Sequence, residues 1–214
     1  MDQGIIIKLA YLLASVLFIV GIKMLGKTST ARKGNFLSAV AMLIAVLVTL
    51  LDSQILSLTE IFITIILGSA VGTYMARRVE MTEMPEMVAL LNGFGGASSV
   101  LVATSEYWKY AHDAGITLDI VVAITIILSV IIGAVTFTGS LVAFGKLKGL
   151  INGRAITFKG QHAVNAALLI VLIVLSVLVS NDPNAEVWML GVLALSLLLG
   201  VLVVIPIGGA DMPV

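Results

Sequence analysis

Apolar residues fill the chain in seven continuous runs that are separated by short polar connections. The runs lie near residues 4–25, 35–51, 58–76, 85–104, 119–144, 162–180 and 187–206. Each run is long enough for a helix to cross roughly 30 Å of hydrocarbon. None shows the alternation of apolar and polar residues that membrane strands have. The pattern therefore predicts an all-α integral membrane protein, a polytopic bundle of about seven transmembrane helices within residues 1–214.

Composition supports this class and excludes others. Hydrophobic residues make up 60% of the chain and charged residues 11%, whereas a soluble domain carries about a quarter charged residues. The net charge is zero and no basic run occurs, so we expect the lipid bilayer and no nucleic acid as a partner. The absence of cysteine excludes disulfides and thiolate metal sites. We predict no metal site.

The basic residues predict the orientation of the helices. Ten of the twelve lysines and arginines lie around the connections after the first, third and fifth runs, and the positive-inside rule places that side in the cytoplasm. The opposite side carries the residues of an aromatic belt: Tyr107, Trp108, Tyr110 and Trp188. We therefore expect a multi-pass protein of the cell (inner) membrane, with the N-terminus outside and the C-terminal end cytoplasmic.

The fourth run carries small and polar residues on one helix face. The residues at this spacing of three or four are Pro85, Ala89, Asn92, Gly96, Ser99 and Ala103. Lipid does not favour such a face, so we expect it to look into protein or water. For the glycines, Gly95 and Gly96 among them, helix packing explains the pattern equally well. Asn92 is harder to explain by packing, because a buried amide needs several hydrogen-bond partners.

Two other runs carry polar residues at helical spacing. In the third run, Thr64, Gly68 and Gly72 are four residues apart, a pattern that favours helix packing over chemistry. The fifth run has a longer stripe on one face, formed by Thr125, Ser129, Gly133, Thr136 and Ser140. Each hydroxyl can bond the carbonyl four residues earlier, which would make the stripe a self-satisfied packing surface. A water-lined path explains the same stripe, and both interpretations stay open.

Ionisable side chains lie away from the predicted centre of the membrane. All acidic residues and both histidines fall in connections or within about one turn of the end of a run. Proton movement through this chain would therefore use hydroxyls, amides and water, or an ionisable group of a partner. His162 and Asn165 lie one helical turn apart and could form a pair at the mouth of such a path, although an interfacial histidine is commonly just solvated.

A short motif occurs at two predicted helix starts. Residues 83–85 read Glu-Met-Pro, and residues 211–213 read Asp-Met-Pro. An acid just before a proline is a helix start signal. We therefore expect an eighth helix to begin at Pro213, so that residues 1–214 would be one part of a longer protein.

Three longer stretches resemble a known family. They are TEMPEMVALLNGFGGASS (82–99), GAVTFTGSLVAFGKL (133–147) and the terminal IGGADMPV (207–214). These stretches resemble the beta subunit of proton-translocating NAD(P) transhydrogenase, also called nicotinamide nucleotide transhydrogenase, and the likeness covers essentially the whole chain as its membrane domain. The resemblance implies a transmembrane proton-channel domain. In that enzyme, protons crossing the membrane are coupled to hydride transfer between NAD(H) and NADP(H) in soluble domains.

The resemblance also implies cofactors and partners. Family members usually continue with two further helices and an NADP(H)-binding domain, and two alpha/beta units pair into a dimer. The implied partners are therefore the alpha subunit, a second beta subunit and the NADP(H)-binding domain. This chain alone would bind no cofactor and would carry no catalytic residue for hydride transfer.

The resemblance gives Asn92 a specific place. Some members have at this position a histidine that is thought to carry the proton, and others have that histidine in a helix of the alpha subunit. Asn92 departs from the first pattern, which agrees with the lack of ionisable groups near the membrane centre. From the residue pattern alone we add the hydroxyls of Ser99, Thr136 and Ser140 as candidates for a water-lined proton path.

The predicted cytoplasmic mouth carries a second group of candidates. Asp211 matches a family aspartate near the region that contacts the NADP(H) domain, which implies a role in gating or coupling. Glu83 and Glu86 would be neighbouring acids at this mouth. His162 is our own addition from its position at the start of the sixth run.

Two other functional classes stay open. A secondary transporter also has small-residue seams and a proline-started helix that holds a binding amide, and a small solute bound at Asn92 would favour it. A structural membrane subunit would keep all coupled activity after Asn92→Ala and Thr136→Val.

Overall fold

The computed structural model describes residues 3–51, 58–112, 119–182 and 186–212. These residues form α1 (Gln3–Leu25), α2 (Thr28–Leu51), α3 (Leu58–Arg78), α4 (Met84–His112), α5 (Ile120–Leu147), α6 (Gln161–Asn181) and α7 (Glu186–Val204). All seven helices are long and apolar enough to cross a membrane, and no strand occurs among the described residues. The predicted all-α membrane fold with seven helices is therefore confirmed. Pro213, where we predict an eighth helix to begin, lies outside the described residues.

Helix contacts divide the chain into two compact units, Met1–Arg77 and Arg78–Val214, although the short connections predicted one bundle. In the first unit, α1 and α2 form an antiparallel hairpin. A Cβ on Gly34 of α2 would lie only 2.7 Å from the Gly21 carbonyl oxygen of α1. This contact makes the polar residues from Thr28 onward helical, so α2 begins about two turns before its apolar run.

The second unit contains α4 to α7, with α5 between α4 and α7. α4 and α5 run antiparallel, whereas α5 and α7 run parallel and α6 packs on α7. The Thr138 hydroxyl of α5 bonds the Leu197 carbonyl of α7 at 2.8 Å. We call the end where α4 begins and α5 and α7 finish the Asp211 end, and we call the opposite end the His112 end.

The core of the second unit explains the length of α4. It is formed by residues of all four helices: Ala103, Tyr107, Ile126, Ile127, Val130, Leu172, Val179, Met189, Val192 and Leu199. Tyr107 is 1% exposed, so its burial keeps the chain helical to His112, eight residues past the predicted end near 104. Most of this core lies toward the His112 end.

Candidate functional site

α4 and α5 touch each other at two glycines. A Cβ on Gly96 would lie 2.6 Å from the Gly133 carbonyl oxygen, and one on Gly133 would lie 2.7 Å from the Gly96 carbonyl oxygen. Neither position has room for a larger residue, so the two backbones are in direct contact. The small face of α4 therefore packs on the polar stripe of α5.

Asn92 and Ser140 meet beside this contact. Asn92 Nδ2 donates to Ser140 Oγ at 2.9 Å. Together with Thr136 they line a cavity of about 220 Å³, which we call the Asn92 cavity. Its other lining residues are Val135, Gly139, Ala143, Val204, Ile207 and Met212. Three of the four residues predicted for a proton path thus share one cavity, which has room for several waters at about 30 Å³ each.

The hydroxyls of the α5 stripe fall into two groups. Thr125 bonds the carbonyl of Val121 and Ser129 bonds that of Thr125, both at 2.7 Å, as a self-satisfied stripe would. Ser140, 8% exposed, instead accepts a hydrogen bond from Asn92, which leaves its own proton for a further acceptor. Because neither an amide nor a hydroxyl ionises here, this pair can order water and relay hydrogen bonds without holding a charge.

A second cavity of about 500 Å³ lies farther along the α4–α5 contact. It is lined by Ser98, Ser99, Val102, Ala103, Glu106, Thr125, Ile126 and Ser129. Ser99, the fourth predicted path residue, lies here and not with Asn92. The contact of Gly96 with Gly133 separates the two cavities. Glu106, which is paired with Lys109 at 2.8 Å, was not predicted as part of any site because α4 was expected to finish near residue 104.

The predicted acidic residues lie at the Asp211 end. Asp211 is exposed in a short 3₁₀ turn after α7, and the next residue, Met212, lines the Asn92 cavity. Glu83 accepts a hydrogen bond at 3.3 Å from a backbone N–H three residues earlier, in the 3₁₀ turn that leads into α4. Glu86 lies 4.0 Å from Lys148, which follows α5. Asp211 is therefore next in sequence to a residue of the cavity wall, whereas Glu83 and Glu86 stabilise the start of α4.

His162 is not among the residues that line either cavity. It is exposed in the first turn of α6, and the Oδ1 atom of Asn165 is buried with no hydrogen-bond partner among the described residues. Gln161 donates to the Leu202 carbonyl of α7 at 3.3 Å. The polar start of α6 thus packs on α7, and a role of His162 and Asn165 at a mouth stays a prediction.

The glycines predicted to pack lie in different surroundings. Gly96 is buried at the α4–α5 contact, whereas no described atom lies within 4 Å of a Cβ placed on Gly95, Gly68 or Gly72. Packing at these three glycines stays a prediction. Gly93, which the sequence did not single out for packing, packs on α5 together with Gly96. A Cβ on Gly93 would lie 3.2 Å from the Ser140 Cβ. Its position three residues before Gly96 is the signal that could have identified it.

The glycines of α4 do not form a nucleotide-binding turn. Gly93, Gly95 and Gly96 lie inside α4, whereas a dinucleotide fold places such glycines between a strand and the helix that receives the pyrophosphate. These residues therefore do not fit NAD(H) or NADP(H), and we assign no hydride-transfer step to them. The described residues contain no group of three or more His, Asp or Glu side chains that could hold a metal.

Comparison with known proteins adds an independent observation. A family model described as NAD(P) transhydrogenase beta subunit matches residues 7–214. The chain is 39% identical over 209 residues to the NAD(P) transhydrogenase subunit beta of Rhodospirillum rubrum. A second protein of that name, from a strain of the same species, matches with the same identity and coverage. The match covers 96% of this chain and 45% of the relative, so the chain spans a little under half the length of these curated relatives.

Proposed function

The chain belongs to the NAD(P) transhydrogenase beta subunit family, and we propose that it forms membrane helices through which that enzyme translocates protons. Proton movement is then coupled to hydride transfer between NAD(H) and NADP(H) in soluble domains outside residues 1–214. The chain is a multi-pass membrane protein, and we place it in the cell (inner) membrane.

The observation that carries this proposal is the hydrogen bond between the exposed Asn92 amide and the buried Ser140 hydroxyl, at the wall of a cavity lined by α4, α5, α7 and the residues after α7. Polar side chains inside a membrane are expensive and usually serve a function. An amide can make four hydrogen bonds, and Ser140 takes one of them. The remaining positions, with the Thr136 hydroxyl, are available to water molecules that relay a proton.

The two cavities support a path with one internal barrier. The Gly96–Gly133 backbone contact lies between the Asn92 cavity and the second cavity, which Ser99 lines. A small separation of α4 from α5 at this contact would join them. Because neither Asn92 nor Ser140 ionises, the group that holds the proton beside Asn92 comes from a partner, as the resemblance implies for a histidine of the alpha subunit.

Coupling to the soluble domains is assigned to the Asp211 end. Asp211 is exposed, and its neighbour Met212 lines the Asn92 cavity, so a domain that binds Asp211 can act on the cavity wall. Glu83 and Glu86 hold the start of α4 beside it, and exposed His162 is available to a partner at the start of α6. The partners in this proposal are the alpha subunit, a second beta subunit in a dimer of alpha/beta units, and the NADP(H)-binding domain.

The orientation proposed from the basic residues places the Asp211 end in the cytoplasm. Lys159→Cys should therefore be protected, and Lys109→Cys should be labelled, when sealed cells are treated with an impermeant thiol reagent. The absence of cysteine from these residues keeps each label specific. Labelling of Lys159→Cys in sealed cells would overturn the assignment.

Asn92→Leu tests the path in the complete enzyme reconstituted in vesicles. This change removes both the donor and the acceptor, so we expect proton-coupled transhydrogenation to fall at least about tenfold. Hydride exchange between the isolated soluble domains should not change. The matched control is Asn181→Leu, because the bond of the Asn181 amide among the described residues goes to the Val177 carbonyl of its own helix, at 2.9 Å.

A second variant separates the proton path from a structural role. Asn92→His introduces an ionisable group with an ordinary pKa near 6.5. Combined with loss of the partner's histidine, it should restore more proton pumping than the loss alone. Normal pumping by Asn92→Leu would instead favour a structural membrane subunit, and a bound solute at Asn92 would favour a secondary transporter.

A further inference from the structure

Lys146 is a buried cation that the proposed path does not use. It lies in the last turn of α5 at the Asp211 end and is 4% exposed. Its ammonium donates to three backbone carbonyls, those of Ile205, Ile207 (2.8 Å) and Arg154 (3.2 Å). An ammonium has three N–H donors, so each donor has one carbonyl partner.

These carbonyls are what stabilises the buried charge. The ion pairs found among the described residues involve Lys109, His112 and Lys148, and none joins Lys146 to a carboxylate. A buried ammonium is tolerated only when its donors are satisfied. The carbonyls of Ile205 and Ile207 follow the last turn of α7, where backbone carbonyls lack partners within the helix. The Lys146 ammonium and the carbonyls after α7 therefore satisfy each other's hydrogen-bonding capacity.

The segment bound by Lys146 forms a wall of the Asn92 cavity. We call residues 205–212 the closing segment, of which Ile207 and Met212 line the cavity. Two backbone hydrogen bonds of 2.8 and 3.3 Å join it to residues 153–156. Lys146 bonds both partners of this contact, since Arg154 belongs to the connection and Ile207 to the closing segment.

We propose that Lys146 is a positioning residue that holds the closing segment against α5 and thereby shuts the Asn92 cavity toward the Asp211 end. Asp211 lies in the same segment. A displacement of the closing segment therefore opens the Asn92 cavity and moves the Asp211 carboxylate at the same time. The consequence for proton transfer rests on the proposed function, whereas the closing of the cavity does not.

The test measures access to the cavity by thiol labelling. Ala143 lines the cavity and is 8% exposed, and this chain has no cysteine, so Ala143→Cys places one thiol in the wall. The complete beta subunit is assembled with its partner in membranes, with any other cysteine replaced. Lys146→Met keeps the length of the side chain but removes all three donors. We expect a small methanethiosulfonate to label Ala143→Cys at least about tenfold faster in this variant.

Matched variants separate this role from a general loss of structure. Lys146→Arg keeps the charge and the donors and should label near the unmodified rate. Lys159→Met removes an exposed lysine from the same connection and should have no effect. Ala123→Cys, 2% exposed near the start of α5, reports loosening elsewhere and should not label faster in Lys146→Met.

Two results would overturn the proposal: unchanged labelling of Ala143→Cys in Lys146→Met, or equal acceleration at Ala123→Cys. Where Lys146→Met does not assemble, Lys146→Gln, which loses one donor and the charge, is measured with the same expected direction. Faster labelling of Ala143→Cys supports the positioning of the closing segment whatever the proton path, whereas normal pumping by Asn92→Leu would refute only the path through Asn92. The failures of the two proposals are thus distinguishable.

Discussion

Each of the two units contains an antiparallel helix pair held together at two glycines. In the first unit, Gly21 of α1 faces Gly34 of α2, and in the second unit Gly96 of α4 faces Gly133 of α5. In both pairs, a Cβ at these positions would lie within about 3 Å of the opposite backbone. The same small-residue chemistry therefore sets the distance between the helices in both units.

The polar groups beside the two contacts differ. In α1–α2, the Tyr11 hydroxyl bonds Thr49 Oγ1 at 2.8 Å, and Thr49 also bonds the Ala45 carbonyl of its own helix. In α4–α5, the Asn92 amide bonds Ser140 and faces a cavity. A close glycine contact is therefore a packing feature in itself. What distinguishes the candidate site is an amide that makes one side-chain hydrogen bond within the described part of the chain and lies beside space for water.

Breaking the second contact should have the largest effect. In Gly96→Ala, the added Cβ would lie 2.6 Å from the Gly133 carbonyl oxygen, so the free energy of unfolding should fall by about 1–3 kcal/mol. Gly95→Ala is the matched control. No described atom lies within 4 Å of its added Cβ, and alanine favours the helix by up to about 1 kcal/mol. Thermal unfolding of the complete beta subunit, purified without its partners, should show opposite shifts, and a loss at Gly95→Ala as large as at Gly96→Ala would contradict this helix register.

Removing the acceptor of the Asn92 amide should have a smaller effect. Ser140→Ala keeps the packing but deletes the interhelical hydrogen bond, which is worth about 0.5–1.5 kcal/mol. Coupled proton translocation in vesicles should therefore fall about two- to tenfold. The control is Ser176→Ala on α6, whose hydroxyl bonds the Leu172 carbonyl of its own helix at 2.7 Å. Equal effects of the two substitutions would place Ser140 outside the path.

The helices could be predicted from the sequence because continuous apolar runs of membrane length have few alternatives. The helix boundaries required tertiary contacts. The burial of Tyr107 extends α4, and the contact of Gly34 with α1 extends α2 toward its N-terminus. Polar residues at those ends carry no apolar signal, so a hydropathy pattern alone places the boundaries too close to the centre of each helix.

The candidate site could be predicted only in part. Asn92 and Ser140 were each identified from the face of their own helix, but their pairing depends on the register of α4 against α5, which the glycine contact sets. Ser99 was grouped with Asn92 because both lie on one face, whereas the glycine contact separates them into two cavities. In the sequence, Lys146 is one of the ten basic residues whose positions predict the orientation of the helices. Its burial depends on the path of the chain after α7, which no local pattern indicates.

Tyr11→Phe should have the smallest effect, because it removes one hydrogen bond from the first unit and almost no volume. Thr49 keeps its bond to the Ala45 carbonyl at 2.8 Å, so the loss in the free energy of unfolding should stay at or below about 1 kcal/mol. Proton-coupled transhydrogenation should not change, since neither Tyr11 nor Thr49 lines either cavity. The measurement pairs the thermal unfolding of the complex with proton pumping in vesicles, and Thr49→Val should give the same pattern. If Tyr11→Phe lowers coupled pumping as much as Ser140→Ala does, then hydrogen bonds in α1–α2 and in α4–α5 affect the coupling of proton movement to hydride transfer equally. The distinction between a packing contact in the first unit and a proton site in the second would then be wrong.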